Sequence, residues 1–202
     1  MSIRLLLADD QALVRGALAA LLSLEPDLEV VAEVGSGDEV LDAARRHSPD
    51  VAILDVEMPG LGGIEAATLL RDEVPGVRVL MCTTFGRPGY LRRALQAGAT
   101  GFVVKDTPAA RLADAVRRVH AGLRVVDPSL ATDTLIYGES PLTDREADVL
   151  RAARGGASVA SMATSLHLSE GTIRNHLSAA IGKTATTNRT EAVRVADDNG
   201  WL

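Results

Sequence analysis

The chain has 202 residues, 47% of them hydrophobic and 24% charged, with a net charge of −6, which leaves room for one large domain or two small ones. No apolar run reaches the roughly 18 residues of a membrane span, and the N-terminus lacks the basic and apolar regions of a signal peptide. A cytoplasmic protein without direct membrane association is therefore expected, and its single cysteine, Cys82, excludes an internal disulfide.

Five short runs of branched apolar residues read as buried strands: Ile3 to Ala8, Val30 to Val34, Val51 to Leu54, Val77 to Met81 and Gly101 to Val104. Cys82, directly after the fourth, reads as a small core hydrophobe. Helical spacing fills the crossovers. It is carried by Leu13, Ala17, Leu18, Leu21 and Leu22, then Val40, Leu41 and Ala44, then Ile64, Ala67, Thr68 and Leu70, then Leu91, Ala94 and Leu95. A fifth helix, Pro108 to Ala121, stops at Gly122. Such a (βα)5 pattern closes into a doubly wound parallel sheet, which gathers its chemistry at the carboxyl ends of the strands.

Residues 123–139 lose this rhythm and read as a linker between a 1–122 domain and a 140–202 domain, with a short helical stretch from Ser129 to Ile136. Beyond it the pattern is all-helical. Thr143-Asp144-Arg145-Glu146 forms a capping box that opens a helix to about Arg154, and Val159 to Leu166 forms a second. A tight turn, Leu168-Ser169-Glu170-Gly171, then leads into a third helix from Thr172 to Ile181, and Arg189 to Asp198 makes a fourth. The acidity lies mainly in the first part, since residues 1–122 carry 13 basic and 17 acidic side chains and residues 140–202 carry seven of each. A neutral C-terminal part escapes the usual argument that acidic proteins avoid nucleic acid.

Asp9 and Asp10 follow the first strand and Asp55 the third, so neighbouring strands roughly 5 Å apart bring these carboxylates into one pocket. Carboxylates that close repel unless a hard cation sits among them, and Mg²⁺ suits all-oxygen ligands. Thr83 follows the fourth strand and Lys105 the fifth; a hydroxyl and an ammonium there would offset the charge of a phosphoryl group on Asp55. Taken singly, Asp10 reads as a helix cap, Asp55 as a turn opener and Lys105 as a surface charge. Their recurrence at the same ends of four strands favours the phosphoryl reading.

Through Ala8-Asp9-Asp10, Leu54-Asp55-Val56-Glu57-Met58-Pro59-Gly60, Thr83-Thr84 and Gly101-Phe102-Val103-Val104-Lys105-Asp106, the first domain resembles the CheY-like receiver domain of two-component response regulators. The resemblance implies that Asp55 accepts phosphate from a sensor histidine kinase. It also implies that Asp10, Asp55 and the Glu57 carbonyl hold Mg²⁺, with Asp9 acting through water, and that Thr83 and Lys105 hold the phosphoryl oxygens. Phe102 stands where the family often has a switching aromatic, and a plain core aromatic is the competing reading.

In the turn-and-helix run Leu168 to Leu177, Ile173 and Leu177 share one face while Arg174, Asn175 and Ser178 point away, and Arg and Asn can read guanine and adenine in a major groove. Through this run, Leu142 to Glu146, Lys183 and Asn188-Arg189-Thr190-Glu191-Ala192, the second domain resembles the four-helix LuxR-type helix-turn-helix of the NarL/FixJ class. That implies base contacts from Arg174, Asn175 and Ser178, phosphate contacts from Thr172 and Lys183, and pairing of protomers through the last helix at Arg189 and Val193. The implied partners are double-stranded promoter DNA, a second copy on phosphorylation, and RNA polymerase as a candidate contact. Thr184-Ala185-Thr186-Thr187 replaces a more hydrophobic Leu-Gly-Val stretch, and Ser158 to Met162 a more polar one, so fewer phosphate contacts are expected.

Residues 55–60, 83–90 and 140–146 look most like the DesR subgroup, which governs lipid desaturase genes under a membrane-sensing kinase. Two other readings compete. A haloacid-dehalogenase-like phosphatase would want an Asp where Glu57 stands, and a receiver used purely for dimerisation would not need the phosphorylation residues.

Overall fold

A computed structural model describes residues 2–84, 88–127 and 140–202; the proposed 129–136 helix and residues 85–87 of the DesR-like run fall outside these. The chain divides into two compact units. The first alternates β1 (Ile3–Ala8), α1 (Ala12–Leu22), β2 (Leu28–Val34), α2 (Val40–His47), β3 (Val51–Leu54), α3 (Gly63–Glu73), β4 (Arg78–Thr83), α4 (Pro88–Gln96), β5 (Gly101–Val104) and α5 (Ala109–His120), and ends on β6 (Val125–Val126). All pairings are parallel, in the order β2-β1-β3-β4-β5-β6. β6 corrects the linker reading, because Val125 and Val126 pair with Gly101 and Phe102. A two-residue strand is too short to show any period.

Each face of the sheet is covered. Leu6, Leu54, Met81 and Phe102 pack under α2, α3 and α4, and Leu5, Leu7, Ile53, Leu80 and Cys82 pack under α1 and α5. Burial pushes the Cys82 thiol up to about 12, as expected of an inert core residue.

α1 departs from expectation. It turns Leu18, Ala19 and Leu22 to the sheet and leaves Leu13, Gly16, Ala17, Ala20 and Leu21 exposed, with Leu24 just beyond its end. Leu13 is 86% and Leu24 78% exposed. Because Arg15 is the only charged residue in this helix, the apolar period could not select the face that is buried.

The second unit packs α6 (Asp144–Ala153), α7 (Val159–Leu166), α8 (Glu170–Lys183) and α9 (Arg189–Asp198) around Val149, Leu150, Met162, Ile173, Ala180, Ala192 and Ala196. Thr143 and Glu146 make the expected capping box, and Ser158, Ser169 and Asn188 cap the other three helices. α8 is longer at both ends than the expected Thr172 to Ile181, since its cap is Ser169.

Candidate phosphoacceptor site and nucleic-acid interface

The ladders run one residue past the strands and thereby place the acid pocket. The Asp55 amide donates to the Ala8 carbonyl and the Lys105 amide to the Thr83 carbonyl, each at 2.8 Å. Asp55 thus lies beside Asp9, and Lys105 beside Thr83. Gly63 is needed for close approach, because a Cβ there would stand 1.8 Å from the Asp55 carbonyl oxygen. Gly63 shows no turn signal of its own in the sequence, so its role is visible only in the fold.

Asp9, Asp10 and Asp55 offer carboxylate oxygens all within 4.8 Å of one another. Lys105 Nζ donates to Asp9 Oδ2 at 2.7 Å and to Asp55 Oδ2 at 2.9 Å, with all three side chains nearly buried. Burial raises the Asp55 carboxyl above its ordinary value; the Lys105 hydrogen bond and charge oppose this, and the Asp9 charge adds to it. Burial works against the Lys105 ammonium, but its hydrogen bonds to Asp9 and Asp55 prevail and lift it. One cation therefore compensates a buried pair of carboxylates beside an exposed third, and the all-oxygen donor set fits a hard divalent ion.

Local bonds hold this arrangement. Asp9 Oδ1 accepts from the Gln11 amide at 2.9 Å, Asp55 Oδ1 accepts from the Val56 amide at 2.7 Å, and Arg15 donates to the Asp9 carbonyl. Asp10 is exposed and caps nothing, since Gln11 occupies the cap of α1. The Glu57 side chain is not among the clustered carboxylates; its Oε1 accepts from the Tyr90 hydroxyl at 2.6 Å. Thr83 is buried beside the pocket, and Phe102 is 0% exposed in the core. The roles of Arg15 and Tyr90 were not legible in the sequence, because neither sits at a strand end.

In the second unit, α7 and α8 are joined by a turn in which the Leu168 amide donates to the Ala163 carbonyl at 3.0 Å. Ile173, Leu177 and Ala180 face the core, while Arg174, Asn175 and Ser178 are exposed together. His176 is half-buried on the flank. Arg174 pairs with Glu170 one turn earlier at 2.6 Å, and Thr172 bonds Ser169 at 2.8 Å. Lys183 Nζ donates at 2.7 Å to Glu146, the buried carboxylate of the capping box. Burial raises the Glu146 carboxyl, but the Lys183 and Thr143 hydrogen bonds outweigh this and hold it below the usual range. Arg189 donates to the Ala157 carbonyl at 2.9 Å, and Val193 packs half-buried on the same core.

Residues 5–117 match the response regulator receiver domain, and residues 140–196 match the bacterial regulatory proteins of the luxR family. The transcriptional regulatory protein DesR of Bacillus subtilis (strain 168) is 42% identical over 201 residues, covering 99% of each chain. The uncharacterized transcriptional regulatory protein YvfU of the same strain is also 42% identical, over 99% of this chain and all of its own. Among solved structures, the response regulator ChrA of a heme-sensing two-component system is 32% identical with a TM-score of 0.61, over 100% of this chain and 99% of ChrA. No helix among the described residues is long and apolar enough to cross a membrane. The chain belongs to the two-component response regulators of the NarL class, transcription factors that join a receiver domain to a LuxR-type DNA-binding domain and are not enzymes.

Proposed function

We propose that Asp55 accepts a phosphoryl group from a sensor histidine kinase and that the modification drives dimerisation and binding to promoter DNA. The observation that carries this is the nearly buried Lys105 ammonium bridging Asp55 and Asp9 at the carboxyl end of the sheet. An Asp55 oxygen attacks phosphorus, the bond from phosphorus to the donor histidine nitrogen breaks, and the phosphoryl group arrives with about −1.5 to −2 of charge. Lys105 and the Thr83 hydroxyl are the chain's own groups for its oxygens. Asp10, Asp55 and the Glu57 carbonyl would hold Mg²⁺, with Asp9 acting through water, and the ion supplies charge neutralisation of the phosphoryl oxygens.

Phosphate acts as a population shift. Meeting it draws Lys105 and Thr83 toward the new group, with Phe102 as the neighbouring core residue that follows Thr83. Of the surfaces that could pair protomers, the first and fifth helices are favoured over the fourth and fifth, because α1 exposes Leu13 and Leu21, with exposed Leu24 just beyond its end. Exposed Arg111, Asp114 and Arg118 on α5 supply both signs of charge for a two-fold contact. In the second unit, Arg174, Asn175 and Ser178 read bases, Thr172 and Lys183 meet phosphates, and α9 around Arg189 and Val193 adds a second protomer contact. The DesR-like resemblance points to lipid desaturase promoters, and genome-wide binding with and without phosphorylation tests that target set.

The deciding experiment treats wild type and Asp55→Asn with acetyl phosphate and measures affinity for a bound promoter fragment. The expected result is a gain of at least tenfold in wild type alone; equal affinities for the two proteins overturn the proposal.

A further inference from the structure

We propose that Glu170 is a specificity-determining residue that selects a cytosine in the base pair next to the guanine read by Arg174. This rests on α8 being the helix that enters the major groove. Residues at the start of such a helix meet base edges, and Glu170 is the first residue of α8. Its Oε2 accepts from Arg174 Nη2 at 2.6 Å, with the two side chains 49% and 61% exposed. At about 100° per residue, Glu170 lies about 40° from Arg174 and about 80° from Ser178 around the helix, on the side that Arg174 takes.

The fold gains little from a carboxylate at this position. Ser169 already caps the helix, since its hydroxyl accepts from the Thr172 amide at 3.1 Å and shares a hydrogen bond with the Thr172 hydroxyl at 2.8 Å. What Glu170 adds is a favourable charge at the helix start and an exposed pair one turn apart, both small terms. Gly171 beside it leaves the helix end bare, because a Cβ there would meet only Ser169 Oγ, at 3.7 Å. In a C-terminal domain with no net charge, a carboxylate on the DNA side repels phosphates. That repulsion is offset only where the carboxylate finds a donor.

In the major groove the donors are the amino groups of cytosine and adenine, whereas guanine and thymine turn acceptors outward. Adenine sets its N7 acceptor beside the N6 donor, which opposes the second carboxylate oxygen. Cytosine presents N4 alone, so it is the base that suits Glu170. Arg174 meanwhile spends its fork on guanine O6 and N7. The two residues start about 6 Å apart along the helix axis, under two base steps of about 3.4 Å, which puts Glu170 on the neighbouring pair.

The test incubates full-length protein, treated with acetyl phosphate, with a pool of randomised duplexes and sequences the bound fraction. Wild type should select guanine with cytosine in the adjacent pair of each half-site. Glu170→Ala should keep the guanine, lose a cytosine preference of about 5- to 150-fold, and bind random duplex about two- to fivefold more tightly at about 0.1 M salt. Glu170→Gln should turn the preference at that position to adenine, whose N6 and N7 match an amide. Identical motifs for wild type and Glu170→Ala overturn the assignment. Equal loss of affinity for selected and random duplexes in Glu170→Ala overturns it too, because the carboxylate then serves the helix alone. A wild type that selects no motif, or an Arg174→Ala protein that keeps the guanine, removes the α8 reading instead, and so is distinguishable from both.

Discussion

Replacing Leu13 by Ala tests whether the bare face of α1 is where phosphorylated protomers meet. Leu13 is 86% exposed, so nearly its whole side chain is available to a partner. The substitution deletes three carbons, about 2.4 kcal/mol at 0.8 kcal/mol each if fully buried, and about 2 kcal/mol for the exposed share. A two-fold interface counts the loss twice. The dimer should weaken by about 2–4 kcal/mol, or roughly 30- to 1,000-fold in Kd, the lower figure applying if the partner covers half the side chain. The monomer should keep its stability within about 0.5 kcal/mol, because an exposed helical Leu→Ala change disturbs no core. Sedimentation of acetyl-phosphate-treated protein measures this without any kinase. A phosphorylated Leu13→Ala protein that dimerises with the wild-type Kd refutes the α1 assignment.

Asp55→Asn should stabilise the metal-free receiver at neutral pH by on the order of 1 kcal/mol. A carboxyl raised above its unfolded value of 3.8 costs stability once ionised, so the gain should fade as pH drops through the folded value and vanish below the unfolded one. Melting curves by circular dichroism in EDTA check the sign, which a neutral-pH loss would reverse. Glu146→Gln should cost the helical unit about 1–2 kcal/mol at pH 7. Because the Glu146 carboxyl is depressed, its contribution is full above 4.5 and is lost as pH falls through the lower folded value, so mutant and wild type should converge in acid. Urea melts followed through Trp201, the single tryptophan, which packs on that core, would show a pH-independent gap if the reasoning is wrong. Ala185 holds a φ of 53°, in the left-handed region where the resemblance expects Gly, so Ala185→Gly should add about 0.5–1 kcal/mol in the same melts.

Much of the receiver was readable because its strands are branched apolar runs that end in Asp, Thr or Lys, so the polar residue marks both the edge of the sheet and the site. Asp9, Asp10, Asp55, Thr83 and Lys105 all fall at such edges. What was not readable depends on packing between distant segments. Tyr90 and Glu57 are 33 residues apart, and nothing in either neighbourhood announces the bond. Gly63 looks like any loop glycine until the Asp55 carbonyl is seen against it. α1 is hard to orient for the opposite reason: apolar residues nearly all round give a helix but no direction, and the face its spacing predicts for the core is partly the one left bare.

The charge of the C-terminal domain bears on the proposed dependence of DNA binding on pairing. The C-terminal domain has no net positive charge to draw on, with seven basic and seven acidic residues. Of its candidate contacts, Arg174 is engaged by Glu170 and Lys183 by the buried Glu146. The Glu170 pair is exposed and worth only a few tenths of a kcal/mol, so Arg174 can leave it for a base at little cost. Lys183 is different, because withdrawing it strands a buried carboxylate. One protomer therefore brings little uncompensated charge to the phosphates, and its affinity should be weak and salt-sensitive. Two protomers held together make the second contact intramolecular and multiply affinity with no new residue. If Asp55 phosphorylation pairs protomers as proposed, the poverty of each DNA-binding domain would give the receiver control: a domain that bound tightly alone would occupy its promoter whether or not Asp55 carried phosphate.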